Sequence, residues 1–137
     1  MSEISNIQKW EKAVVAILNI TGWDLVWSKN QFEHYDARGL TPKGFECVIE
    51  MKFRNDYYEK KLLEKYKYDK LMEMEEDIVK LYFVNDPKAN YLFWLNKLEL
   101  NETTNLWCPE STLWRSKKVR KTCYLINERD AIITNIN

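Results

Sequence analysis

Glycine and proline are scarce, three of each in 137 residues, so the chain has few marked breaks or sharp turns. Cysteine is equally sparse. Cys47, Cys108 and Cys123 are odd in number and show no Cys-x-x-Cys spacing. That favours reduced thiols and a cytoplasmic setting over a disulfide framework. His34 is the only histidine. A zinc centre would need it and all three cysteines, which lack the close pairing of structural zinc sites. Net charge is absent too, since 21 Lys and Arg balance 21 Asp and Glu. Chain-wide attraction to nucleic acid or to a membrane surface is thereby excluded, and such a partner must be met by a local patch. No basic-then-apolar leader opens the sequence and no apolar run approaches a membrane span, so a soluble protein with no membrane partner is expected.

What the chain does have is aromatic side chains, six Trp, eight Tyr and five Phe. Its length favours one domain, residues 1–137, large enough to bury a core without disulfides or metals. The aromatic content favours a compact fold over disorder. No repeat or low-complexity linker divides it.

Helical spacing of Ile7, Trp10, Val14, Ile17 and Leu18 predicts a helix from Ile4 to Asn19, capped by Ser2 or Ser5 and ended by Thr21-Gly22. Strands are predicted at Trp23–Trp27 and Phe32–Arg38, followed by a turn over Gly39–Gly44. The clearest strand is Phe45–Arg54. Its odd positions are apolar and its even positions mostly charged, which predicts one packed face and one polar face. Tyr57 to Glu76, rich in Glu, Lys and Leu and without Gly or Pro, predicts one long helix. Ile78–Val84 reads as an interior strand, Asp86-Pro87 as a turn and Tyr91–Leu98 as another strand. The last third holds Trp107-Cys108-Pro109, a basic run and the apolar stretch Cys123–Ile126. A helix on each side of a central mixed sheet makes the expected class α/β.

Within this frame one group of residues carries chemistry. Glu50 and Lys52 project from the same strand face. Asp36, fourteen residues before Glu50, closes the preceding strand, and the intervening turn is expected to bring it beside Glu50. Two adjacent carboxylates repel each other and call for a cation. Hard oxygen donors suit Mg²⁺ or Mn²⁺, which acidify water and stabilise charge on a phosphoryl oxygen. A neighbouring lysine orients the attacking water. Glu and Lys at alternate positions also commonly decorate an exposed strand, so the triplet alone is a weak sign.

Asp36 and Glu50-Met51-Lys52, set in a helix, three strands, helix, strand order over Ile4–Leu98, resemble the PD-(D/E)XK nuclease superfamily, with its restriction-endonuclease-like fold. The resemblance implies that Asp36 and Glu50 bind the metal, that the Met51 backbone carbonyl completes the coordination, and that Lys52 positions the water. Tyr35 stands where the family has a proline, a position at which many members depart. The tail looks similar to small phage-type members, which would place the protein in a host cytoplasm. Glu11 matches a further acidic ligand of some members, against the ordinary reading of a solvated helical glutamate. The family often sets a polar or aromatic residue of the second helix near the lysine. Tyr66 and Lys70, four apart, are candidates, and Lys65, Lys67 and Tyr68 serve equally.

His34 is expected to share a face with Asp36, as a surface histidine or as a general base. Arg115, Lys117, Lys118, Arg120 and Lys121 concentrate positive charge and suit a phosphate backbone, or simply a solvated face. Trp107 and Trp114 flank the run and are expected to pack a core or a dimer face, with stacking on bases as the alternative. The expectation is a metal-dependent nuclease acting on nucleic acid, with DNA as substrate and a homodimer as the form of the enzyme. The rivals are a non-catalytic nucleic-acid-binding or protein-interaction module on the same fold, and an RNA-processing protein.

Overall fold

The computed structural model describes residues 3–28, 33–109 and 118–136. The first helix, α1 (Glu3–Ile20), sets Val14, Val15 and Leu18 against the sheet. It ends at Gly22, whose φ of 106° is left-handed and open to glycine without a Cβ clash. The Asn19 side chain then ties the helix to the next strand, accepting from the Leu25 N–H at 2.8 Å and donating to the Leu25 carbonyl at 3.0 Å. From there the chain runs β1 (Asp24–Trp27), β2 (Ala37–Leu40), β3 (Glu46–Phe53), β4 (Lys60–Glu64), α2 (Lys65–Met72), β5 (Val79–Asn85), β6 (Ala89–Trp94), β7 (Thr103–Pro109), β8 (Lys118–Asn127) and β9 (Ile133–Ile136).

Six of the strands form one sheet, in the order β1-β2-β3-β5-β6-β9. Only β3 and β5 pair parallel, so the sheet is mixed. A parallel pair needs a crossover, and the crossover here carries β4 and α2 over one face. The other face belongs to α1. Cys47, Ile49 and Met51 pack with Val15, Leu81 and Phe83 on the α1 side. Val48 packs with Leu63, Leu71, Tyr82 and Ile126 on the other. Strand β3 is therefore buried on both faces, where its alternating pattern predicts a polar side. The charged residues Glu50 and Lys52 point into a covered face, not into solvent.

The remaining strands form a second antiparallel sheet, β4-β8-β7. It accounts for the largest departure from expectation. The stretch predicted as one helix from Tyr57 to Glu76 opens with a strand, because Lys60–Glu64 pairs with Cys123–Asn127. Helix propensity is a weak local preference, and pairing with a segment some sixty residues downstream overrides it here. Strand β2 starts at Ala37, later than expected, and runs through Gly39, where a Cβ would fall 1.9 Å from the Asp24 carbonyl oxygen of β1. Asp36 thus precedes its strand instead of closing it. Strand β6 stops at Trp94 and gives way to a 3₁₀ turn over Leu95–Lys97. Ser2, Phe32, Trp114, Arg115 and Lys117 lie outside the described residues. No described helix is long and apolar enough to cross a membrane.

The two sheets are joined by a buried ion pair. Lys61 Nζ donates to Asp86 Oδ2 at 2.7 Å, with the two side chains only 4% and 1% exposed. The Tyr57 and Tyr91 rings lie 4.5 and 4.2 Å from the same ammonium. Removing one member of such a pair strands a charge in a dry place. Lys61→Ala is therefore expected to lower unfolding stability by about 3–5 kcal/mol, read by urea denaturation. The double replacement Lys61→Met/Asp86→Asn should lose clearly less. A Lys61→Ala loss below about 1 kcal/mol would place the pair among weak surface bridges.

Candidate active site

The antiparallel register sets Ala37 opposite Ile49, which brings the residue before β2 alongside β3. The Asp36 N–H donates to the Ile49 carbonyl at 2.8 Å, and the Met51 N–H donates to Asp36 Oδ2 at 2.7 Å. Asp36 is thus tied to β3 on both sides of Glu50, by its backbone and by its side chain. Glu50 has a side chain only 6% exposed and receives a hydrogen bond from Lys67 Nζ of α2 at 3.0 Å. Lys52 shares the Glu50 face by strand alternation and is half-buried. From α1, Glu11 accepts from the Trp27 indole N–H at 3.0 Å and is buried, not solvated. Glu64, at the end of β4, accepts from Lys121 Nζ at 3.1 Å.

Charge and burial act strongly on this group. Burial, then the carboxylates of Glu50 and Glu11, push the Asp36 carboxyl up to about 8, against the Met51 N–H and the Lys67 charge. Burial and the nearby Lys67 ammonium bring Lys52 down to about 8, while Glu50 and Glu64 oppose the shift. Burial works against the charge on Lys67, but Glu50, Glu64 and Asp36 together hold its affinity for a proton above the ordinary lysine value. Glu11 is raised by burial and by Glu50. Glu64 is lowered: burial is outweighed by Lys67, Lys121 and Lys52. Four acids, Asp36, Glu50, Glu11 and Glu64, and three lysines, Lys52, Lys67 and Lys121, therefore share one electrostatic neighbourhood.

Among the described residues, no three carboxylate, imidazole or thiol side chains cluster closely enough to hold an ion by themselves. The donors at hand are Asp36 and Glu50, supplemented by main-chain oxygen. This all-oxygen set fits a hard divalent cation, because a cation offsets both the burial and the carboxylate repulsion that raise Asp36.

The structure does not bring every sequence candidate to the carboxylates. Tyr66 is 62% exposed, and Lys70 faces Glu73 at 3.6 Å and the Tyr66 ring at 5.7 Å. The residue of α2 that reaches Glu50 is Lys67. With the helix starting at Lys65, positions 66 and 70 fall on one outward face and 67 on the inward one. His34 is exposed, its ring edge-on to Tyr66 at 6.1 Å between centroids. Arg120 is exposed and Lys121 is half-buried against Glu64. The described part of Lys118 is the backbone of β8. Glu64 and Trp27 were not among the sequence candidates. No local sign marks Glu64, because Lys60–Glu64 has a helix-forming composition and no polar–apolar alternation, and its strand partner lies in β8.

No protein-family model matches the chain, and no curated protein matches it. Among solved structures, it is similar to Archaeoglobus fulgidus Hjc, a Holliday junction resolvase from an archaeal hyperthermophile. The likeness has a TM-score of 0.57 at 15% identity and covers 90% of this chain and 92% of that one. The chain has the restriction-endonuclease-like fold, the fold class expected from its sequence.

The Asp36 shift has a consequence for stability. Its carboxyl titrates near 3.8 in the unfolded chain and near 8 in the folded one. Between those values the folded state holds a proton that the unfolded state lacks, so stability falls as pH rises. Lys52 acts with the opposite sign, and only above about pH 8. In metal-free protein, Asp36→Asn is therefore expected to melt at a higher temperature than wild type, by a margin that widens from pH 5 to pH 8. A margin that stays constant over this range would contradict the shift.

Proposed function

We propose that the protein is a divalent-metal-dependent nuclease that hydrolyses phosphodiester bonds in DNA. The observation that carries the reading is the convergence of Asp36, locked by the Met51 N–H, with buried Glu50 on the strand that also bears Lys52. Asp36 and Glu50 would hold Mg²⁺ or Mn²⁺, with the Met51 carbonyl completing the donor set; Glu11, which does not form one three-carboxylate cluster with them, would add negative charge beside the site. When bound, the cation supplies Lewis acidity and counter-charge at a phosphoryl oxygen.

The chain's own groups take the other tasks. Lys52, brought down to about 8, is partly neutral near physiological pH, which suits it to accept or relay a proton from attacking water. Lys67 holds Glu50 in place and adds positive charge beside the scissile phosphate. Trp27 aims Glu11 through its indole N–H. Similarity to a Holliday junction resolvase makes a four-way DNA junction the first substrate to try. A homodimer belongs to the same proposal: two sites would address two strands, and Trp10, Ile17 and Ile20 leave apolar surface on α1 that suits an interface.

A second reading, a non-catalytic module on the same fold, has one observation in its favour. Lys67 already neutralises Glu50 without a metal. It predicts no rise in melting temperature with Mn²⁺, where the nuclease reading predicts a rise.

The variants separate the roles. Lys52→Ala should reduce cleavage of linear, circular or branched DNA by roughly 10²–10³-fold and leave Mn²⁺ affinity nearly unchanged, because lysine is not a ligand. Asp36→Ala and Glu50→Ala should lose both. Calorimetric Mn²⁺ titration beside a cleavage assay reads the pattern. Wild-type Mn²⁺ affinity in Asp36→Ala, or wild-type cutting by Lys52→Ala, overturns the assigned roles.

A further inference from the structure

Strand β8 runs from Lys118 to Asn127, but only Cys123–Asn127 pairs with β4. The half from Lys118 to Thr122 pairs with β7 alone, opposite Pro109 to Asn105. These residue pairs leave the body of the second sheet as a two-stranded ribbon, about 17 Å long at about 3.4 Å per residue. Opposed residues of antiparallel strands share a face. One face of the ribbon carries Asn105 opposite Thr122 and Trp107 opposite Arg120, all exposed, with Trp107 at 72%. Thr122 Oγ1 donates to Asn105 Oδ1 at 2.7 Å on that face. Leu106 and Lys121 on the other face are half-buried.

Charge on the ribbon has one sign. Lys118, Arg120 and Lys121 are basic, and neither ribbon strand contains Asp or Glu, in a chain whose total charge is zero. Its root is fixed to the candidate active site. Lys121 pairs with Glu64, which lies within the fields of Lys67 and Lys52. Among the described residues neither edge of this ribbon pairs with a further strand, and an unpaired edge invites aggregation unless charge or a partner protects it.

We infer that the β7–β8 ribbon is a DNA-binding arm that enters the major groove of the duplex flanking the cut, with Trp107 and Arg120 on its contact face. The inference deepens the nuclease reading and rests on it: the substrate class becomes DNA with a B-form duplex arm beside the scissile phosphate. Two strands about 4.8 Å apart, with their side chains, match the roughly 12 Å major groove of B-DNA, which admits a two-stranded ribbon. The major groove of duplex RNA is too deep and narrow for this. Arginine pairs with guanine edges or with phosphate, and the broad apolar ring of Trp107 suits thymine methyl groups and the groove wall.

The test uses the full chain and fluorescence anisotropy with a labelled 30-bp DNA duplex, and with an RNA duplex of the same sequence, in metal-free buffer over a range of salt. Wild type is expected to bind the DNA duplex on the order of tenfold more tightly than the RNA duplex. Trp107→Ala/Arg120→Ala should lose on the order of tenfold in DNA affinity, with a salt dependence flatter by about one unit, and keep its melting temperature. Arg120→Lys should retain the salt slope. Unchanged DNA affinity in the double variant, or equal binding of RNA and DNA by wild type, overturns the arm, even if Mn²⁺-dependent cutting is found. The opposite result, DNA binding that depends on Trp107 and Arg120 while wild type cuts nothing with Mn²⁺, overturns the nuclease reading and supports the ribbon as a DNA contact.

Discussion

The hydrogen bond from the Met51 N–H to Asp36 Oδ2 links the fold to its chemistry. It joins the irregular stretch before β2 to an interior strand buried on both faces, so Asp36 inherits the rigidity of the sheet. Without it the backbone of Asp36 would still be tied to Ile49, but its carboxylate would be free to turn away from Glu50. With it, two carboxylates are held together in a place where neither is well solvated. Lys67 and Lys52 can each be understood as a response to that enforced concentration of negative charge, while Lys121 balances the nearby Glu64.

The groups around the two carboxylates come from elements on different sides of the sheet. The crossover between the parallel strands β3 and β5 delivers Lys67 on α2 and Glu64 on β4. The opposite face delivers Glu11 on α1, oriented by Trp27 from the edge strand β1. The crossover a parallel pair requires is thus also the route by which positive charge reaches the carboxylates. The buried Lys61–Asp86 pair then holds β4 against the turn after β5, which keeps Glu64 in reach. Stability and site geometry meet in this one segment, Lys60–Met72.

The features legible in the sequence were those set by short-range periodicity. Alternation in Phe45–Arg54 put Glu50 and Lys52 on one face, and the spacing to Asp36 matched the turn between β2 and β3. The first helix was legible from its apolar repeat. What escaped was set by distant pairing. Nothing local in Lys60–Glu64 announces a strand, because its partner lies in β8. Missing that strand moved the start of α2, and with it the choice among Lys65, Tyr66, Lys67, Tyr68 and Lys70. The burial of the charged face of β3 was likewise hidden, since the covering residues Leu63 and Ile126 come from the second sheet.

The central claim is that Asp36 and Glu50 form one metal site. The most direct measurement is an anomalous diffraction map from crystals soaked in Mn²⁺. The account predicts a peak between the two carboxylates, about 2.1 Å from their oxygens and from the Met51 carbonyl, with Lys67 drawn back from Glu50. An empty map at that position in crystals that take up Mn²⁺ elsewhere would contradict it.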